Sequence, residues 1–468
     1  MLHFNYNFIT EKPVKRKIFI LEALNNSQKL MSSKYLANQL SCSTRTIASD
    51  ISQLKNEIPP NWEIIGIKTK GYILIKPLTE PIFPIIKTYL TESSIYQLML
   101  GLFNNKYYTL EKWSQRLYIN KLTLATHLKN FRKTLDTNKL TIKSRSIQWQ
   151  GEELHIRHFY IAFFYSTLKY TNEVFLSIEL RSKLASIIKQ HQFNIEFENL
   201  CVIIFVTINR ISYKHYLTKK INYAPIFNKT QLKCVNDIIN TTEEYYKIKF
   251  SKVERNTLNI AFFLGIRSDE HGLQILELLS KHYKKEYKDY LNLIDMLTKE
   301  NKIYKEKELL KIKLASHFYK MLFWNKNQLP ISYYFTENIN LQNVSLKQYN
   351  KNQQILTEWN STCNHKFNLK ELDFMSFSTT LALRFFNKNK NILFLFSGAM
   401  IEADLIYSKL KASLGNQVNI HRDLNKSIKY DWIIANYQLS NQDFPVIYIT
   451  TKLCTHEISL IKSTIFPE

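Results

Sequence analysis

Residues 32–58 read SSKYLANQLSCSTRTIASDISQLKNEI. The stretch opens with a short helix over 32–40, which Ser32 or Ser33 can cap and which turns Leu36, Ala37 and Leu40 inward. Ser41–Cys42–Ser43 then makes a tight turn into a second helix. In that helix Ile47, Ile51, Leu54 and Ile58 recur at helical spacing, until Pro59 and Pro60 end it. Upstream, KRKIFILEAL (15–24) lines up Ile18, Leu21 and Leu24 on one stripe. Downstream, WEIIGIKTKGYILIKP reads as a hairpin turning at Lys68–Gly71. Three helices and a hairpin make a winged helix-turn-helix, whose third helix enters a DNA major groove. Its outward residues Ser43, Thr44, Arg45, Thr46, Ser49 and Gln53 are short donors plus one arginine, suited to phosphates and base edges. Asp50 is expected to orient Arg45, and Lys68 and Lys70 at the wing tip to meet phosphates.

The pattern repeats. ESSIYQLMLGLF (92–103), TLEKWSQRL (109–117) and NKLTLATHLKNFRKTLD (120–136) supply three helices, and LTIKSRSIQWQGEELHI supplies a wing with Lys143 and Arg145. Leu124, Leu128, Phe131 and Leu135 face the core of this second unit. Asn120, Lys121, Thr123, Thr126, His127, Lys129, Asn130 and Arg132 are left facing outward.

The charge agrees. The 468 residues carry 64 Lys and Arg against 39 Asp and Glu, a net charge of +25. Residues 1–150 hold 22 basic and 9 acidic side chains, whereas residues 391–468 hold 7 of each. A basic front end points to a polyanion such as duplex DNA. Hydrophobic residues at 45% exclude a mainly disordered chain. With only 8 glycines, neither GxGxxG nor GxxxxGK[ST] occurs, and no cofactor is expected. Five scattered cysteines without a CxxC pair exclude a disulfide framework and a zinc site. No run of apolar residues would span a bilayer, and MLHFNYNFITEKPVKRK lacks the apolar core of a signal peptide. The expected location is the cytoplasm, without a membrane partner.

Residues 155–390 show helical periodicity, as in ENLCVIIFVTINRISYKHYL and FNLKELDFMSFSTTLALRFF, and fit two bundles with a boundary near 272–280. From residue 391 an apolar strand, a Ser397–Gly398 turn, a helix over Ile401–Leu414 and further short strands predict a parallel α/β sheet. The turn after the first strand could offer backbone N–H groups to an anion. Its residues Phe396–Met400 include neither the Cys nor the His that a phosphotransfer enzyme would need.

NEIPPNWEIIGIKTKGYILIKPL (56–78), NLCVIIFVTINRI (199–211) and KNILFLFSGAM (390–400), followed by DWIIANYQL and FPVIYIT, resemble the Mga/AtxA family of Gram-positive virulence regulators. The resemblance covers essentially the whole chain. It implies a mainly α, multidomain protein: winged helix-turn-helix domains at 1–80 and 81–154, phosphotransferase-regulation domains (PRDs) at 155–274 and 275–390, and at 391–468 an α/β domain like phosphotransferase component IIB (EIIB). It further implies a transcriptional activator that recognises DNA partly by shape and assembles with itself, in part through the C-terminal domain. RNA polymerase and phosphotransferase proteins are the further partners to be considered. Where family members carry a regulatory phosphohistidine, this chain has Glu198 in the first PRD and Phe377 or Ser378 in the second. His191, His215, His317 and His365 lie nearby. The alternatives are an RNA-binding antiterminator with PRDs, disfavoured by the two winged units, and a phosphocarrier, disfavoured by the 396–400 loop.

Overall fold

The computed structural model describes residues 4–27, 29–143, 145–171, 173–219, 221, 227–266, 271–331, 346–384, 386, 390–415, 418–425, 427–439, 444–450 and 452–466. The chain is mainly helical, with small sheets, and divides into two compact units. One comprises Met1–His282 with Tyr319–Ile339, the other Tyr283–Phe318 with Asn340–Glu468.

The first unit starts with α1 (Lys12–Asn26), α2 (Ser33–Gln39), α3 (Thr44–Glu57) and the hairpin β1 (Glu63–Ile67) and β2 (Gly71–Ile75). Ile20, Leu24, Leu36, Ala37, Ile47, Ile51, Leu54 and Ile64 close a small core among them. The segment before α2 joins the wing: Met31 and Tyr72 exchange backbone hydrogen bonds of 2.8 and 2.9 Å. That approach explains Gly71, which has φ +120°; a Cβ there would lie 2.1 Å from the Met31 carbonyl oxygen.

The repeat follows as α5 (Ser94–Phe103), α6 (Leu110–Arg116), α7 (Lys121–Asp136) and the two-residue strands β3 (Thr141–Ile142) and β4 (Trp149–Gln150). A helix absent from the sequence reading, α4 (Phe83–Glu92), precedes it and packs on α8 (Glu153–Thr171). The core of the second winged unit runs into α8 without a break. Phe8 meets Phe131, Phe159 and Phe163 edge to face or tilted, with centroids 4.8–6.2 Å apart, and Phe131 meets Phe159 edge to face at 6.5 Å. Helices α9 (Ile178–Gln190), α10 (Phe197–Ser212), α11 (Lys229–Tyr246), α12 (Lys252–Gly265) and α13 (Gly272–His282) continue the unit. Buried charges bind α8, α10 and α12. Arg157 Nη2 donates to Glu254 Oε1 at 2.9 Å, and Arg210 donates two bonds to Glu153 at 2.8 and 2.9 Å.

The second unit contains α14 (Lys284–Asn301), α16 (Leu346–Thr362) and α17 (Leu369–Arg384); α15 (Lys307–Lys326) runs through the boundary at Phe318. Buried Trp359 donates its indole N–H to the Asp289 carbonyl at 2.7 Å. The chain then forms β5 (Lys390–Leu395), α18 (Met400–Leu414), β6 (Val418–His421), β7 (Trp432–Ala435), β8 (Val446–Tyr448) and α19 (Thr455–Ile465). The four strands are all parallel, in the order β6-β5-β7-β8. Ile392 and Phe394 face the core with α18 and α19, and Leu393 faces the opposite side with Tyr430 and Ile433.

Candidate nucleic-acid interface

Ser32 caps α2, accepting from the Tyr35 N–H at 3.1 Å, which selects it over Ser33. The turn passes through Ser41 in the left-handed region, φ 50°. Ser43 then caps α3: its Oγ accepts from the Thr46 N–H at 3.0 Å and lies 2.9 Å from Thr46 Oγ1. These two hydroxyls therefore bond to each other, and Thr46 is half-buried. Thr44, Arg45, Ser49 and Gln53 are exposed, as are Ser52 and Asn56 on the same face.

Asp50 does not orient Arg45. It is buried against α1, where Arg16 donates to it from Nε at 2.7 Å and from Nη2 at 3.1 Å. The bond to this carboxylate raises the Arg16 pKa. Lys17 Nζ reaches Glu57 at 2.6 Å at the far end of the helix. Both ion pairs fix the inner face of α3 to α1 and leave the outer face open. Lys68 and Lys70 are exposed at the tip of the wing, on either side of Thr69 with φ 64°.

The second winged unit repeats the first residue by residue. Tyr118 is left-handed, φ 53°, where the first unit has Ser41. Asn120 caps α7, accepting from the Leu122 N–H at 2.8 Å, where Ser43 caps α3. Leu124, Leu128, Phe131 and Leu135 take the places of Ile47, Ile51, Leu54 and Ile58. His127 takes the place of Asp50, and it too points inward. Its Nδ1 lies 2.8 Å from Ser94 Oγ on α5 and 3.7 Å from a Glu11 carboxylate oxygen. The expectation that His127 faces DNA is corrected: the ring sits on the inward edge of α7. Lys121, Thr123, Thr126, Lys129, Asn130 and Arg132 are exposed, with Lys121 at 3.3 Å from Glu111. Lys143 and Arg145 are exposed between β3 and β4. Lys133 and Leu122 also lie on the outer face of α7. The sequence reading passed over them, although counting in steps of three and four from Thr126 and Lys129 finds both.

The remaining candidates lie elsewhere. Glu198, in the first turn of α10, is held by Arg181 at 2.5 and 3.1 Å, and the guanidinium lies over the Phe197 ring. In α17 Ser378 is buried and Phe377 half-buried. His191 Nε2 lies 2.9 Å from Asp237, and His215 lies 3.1 Å from the Asn105 side chain. In the turn after β5, the Ser397 N–H donates to Asn436 Oδ1 at 2.7 Å, and Asn436 donates back to the Ser397 carbonyl at 2.8 Å. One backbone donor of the expected anion site is thereby taken. Cys201, Cys234 and Cys363 are buried, and burial pushes each thiol up to about 12. No described helix is long and apolar enough to cross a membrane.

Two helix-turn-helix units with open, basic outer faces define a DNA-binding transcription regulator. Comparison with known proteins places it further. A general helix-turn-helix domain family matches residues 16–73, the first unit. The Mga helix-turn-helix domain matches residues 82–164, from the start of α4 into α8. Over 96% of its length the chain is 23% identical to the anthrax toxin expression trans-acting positive regulator of Bacillus anthracis, covering 98% of that protein. It is 28% identical to the capsule synthesis positive regulator AcpB of the same organism over 32% of this chain and 31% of that one. A putative trans-acting regulator of Streptococcus pneumoniae is 23% identical over 45% of this chain and 43% of its own. The resemblance to the Mga/AtxA regulators thus rests on a matched domain and on similarity along nearly the whole chain.

Proposed function

We propose that this protein activates transcription of virulence-type genes, as a cytoplasmic homo-oligomer whose α3 and α7 enter the major groove of promoter DNA. The observation that carries the reading is the residue-by-residue repeat of α3 and α7, each pinned inward by a polar contact and left open outward. The relatives, positive regulators of toxin expression and of capsule synthesis, support the activating sign. In this reading residues 155–274 and 275–390 are the PRDs and 391–468 is the EIIB-like domain, which joins protomers. RNA polymerase is the partner that activation requires. With Glu198, Phe377 and Ser378 at the family's phosphohistidine places, phosphotransfer to those places is not part of the mechanism. Arg45 reads base edges in α3, while Lys68, Lys70, Lys143 and Arg145 hold phosphates.

The test is binding of the full chain to promoter duplexes from its own genome in the presence of non-specific competitor. Arg45→Ala should cost about 1–3 kcal/mol on a specific site and little on competitor DNA. Equal binding of wild type and Arg45→Ala would remove α3 from the groove. Stronger competition by hairpin RNA than by duplex DNA would turn the reading towards an antiterminator.

A further inference from the structure

The register between the two units sets Leu122 in α7 where α3 has Arg45. Each is the second residue of its helix, two before the first core position, Ile47 or Leu124. Successive residues turn by about 100°, so both side chains lie opposite the buried stripe. Arg45 heads a polar row with Ser49, Ser52 and Asn56. Leu122 heads a row with Thr126, Lys129 and Lys133. Leu122 is 77% exposed, and Tyr118 in the adjoining turn is 95% exposed. The rest of the second unit places its apolar residues in the core: Leu124, Phe131 and Leu135 are each 2% exposed or less. A large aliphatic side chain at the head of a row that ends in two lysines therefore stands out. The lysines fit a phosphate backbone. The aliphatic group at the head of the row fits the one apolar feature of the major groove, the 5-methyl group of thymine.

We infer that the second winged unit reads thymine methyl groups through Leu122, whereas the first reads through Arg45. The two units are not copies of one reader. They divide one target into a part recognised by hydrogen bonds and a part recognised by apolar contact. The inference rests on the proposal that α7 lies in the groove, and the experiment separates the two.

A duplex is first selected by the full-length protein from a random-sequence library. Each thymine of that duplex is then replaced in turn by deoxyuridine, which removes the methyl group and preserves the pairing. At one or more positions wild type should lose about fourfold in affinity, the ratio that burial of one methyl-sized group supports. Leu122→Ala should bind the thymine duplex about that much more weakly and show no further loss with deoxyuridine at those positions. The side chain is exposed, so the variant folds. Lys129→Ala should weaken every duplex alike. If Lys129→Ala weakens binding while Leu122→Ala keeps the full methyl sensitivity of wild type at every position, the methyl assignment is overturned and the groove placement stands. If neither variant changes binding to any duplex, α7 is not on the DNA and both fall.

Discussion

Asp50 and His127 illustrate what one polar residue does at the inward edge of the third helix of a helix-turn-helix unit. A third helix could slide or roll on its neighbours, since aliphatic contacts have little directional preference. A buried carboxylate receiving two bonds from Arg16 has one good geometry, and so has an imidazole beside Ser94. The same position in both units thus fixes the roll of the helix and which residues reach outward. His158, further along on α8, is buried and titratable. Its Nε2 lies 3.0 Å from the Pro330 carbonyl, the placement of an N–H donor to that oxygen. Burial pushes its pKa from 6.5 down to about 4, so the folded state favours the neutral ring. The contribution to stability is complete above pH 6.5, is lost as pH falls towards 4, and levels off below. Across that window it amounts to about 3 kcal/mol at most. Hydrogen exchange of the α8 amides should show wild type losing protection relative to His158→Gln between pH 7 and pH 4. A pH-independent difference between the two would mean that His158 does not titrate in this window.

At the scale of the element, α5 and α6 solve the same packing problem as α1 and α2 with different volumes. Leu24 and Leu36 share the core of the first unit. The matching places in the second hold Gly101 and Trp113, and a Cβ on Gly101 would lie 2.1 Å from Cη2 of that indole. A small residue on one helix leaves room for the large one on the other. Gly101→Leu should therefore destabilise the second winged unit by roughly 3 kcal/mol. Adding Trp113→Leu, which recreates the pair of the first unit, should recover most of that loss. Thermal unfolding of the single and double variants gives the comparison, and a double variant no more stable than Gly101→Leu would refute the size exchange. This exchange also shows what the sequence made legible. Helices α1–α3 and α5–α7, the first turn and the first wing followed from periods of 3.6 and 2, from a Ser cap on α2, and from Pro59. Those signals are local. The inward turn of His127, the pairing of Asp50 with Arg16, helix α4 and the core shared with α8 depend on partners remote in sequence. A wheel angle at the edge of the apolar stripe does not say which way a polar side chain goes.

At the scale of the whole molecule, the uneven charge becomes a matter of where cations can release counterions. Residues 1–150 hold 22 basic against 9 acidic side chains, while the final sheet region is balanced. Some of those cations are already spent on Asp50, Glu57 and Glu111. Lys68 and Lys70 stand exposed at one wing tip, and Lys143 and Arg145 stand exposed at the other. Each phosphate neutralised on duplex DNA makes the dependence of log K on log salt steeper by about 0.9. Replacing Lys68 and Lys70 together by Ala should make the slope shallower by about 1.8, equally on specific and non-specific duplexes. The same double replacement at Lys143 and Arg145 should do as much, because the wings stand in equivalent places of the two units. Arg45→Ala, in contrast, should change the ratio between duplexes more than the slope. Binding measured over a salt series with all three variants distinguishes these outcomes. An unchanged slope for one wing pair would mean that only the other winged unit rests on the phosphate backbone, and that the second set of cations serves a different anionic surface.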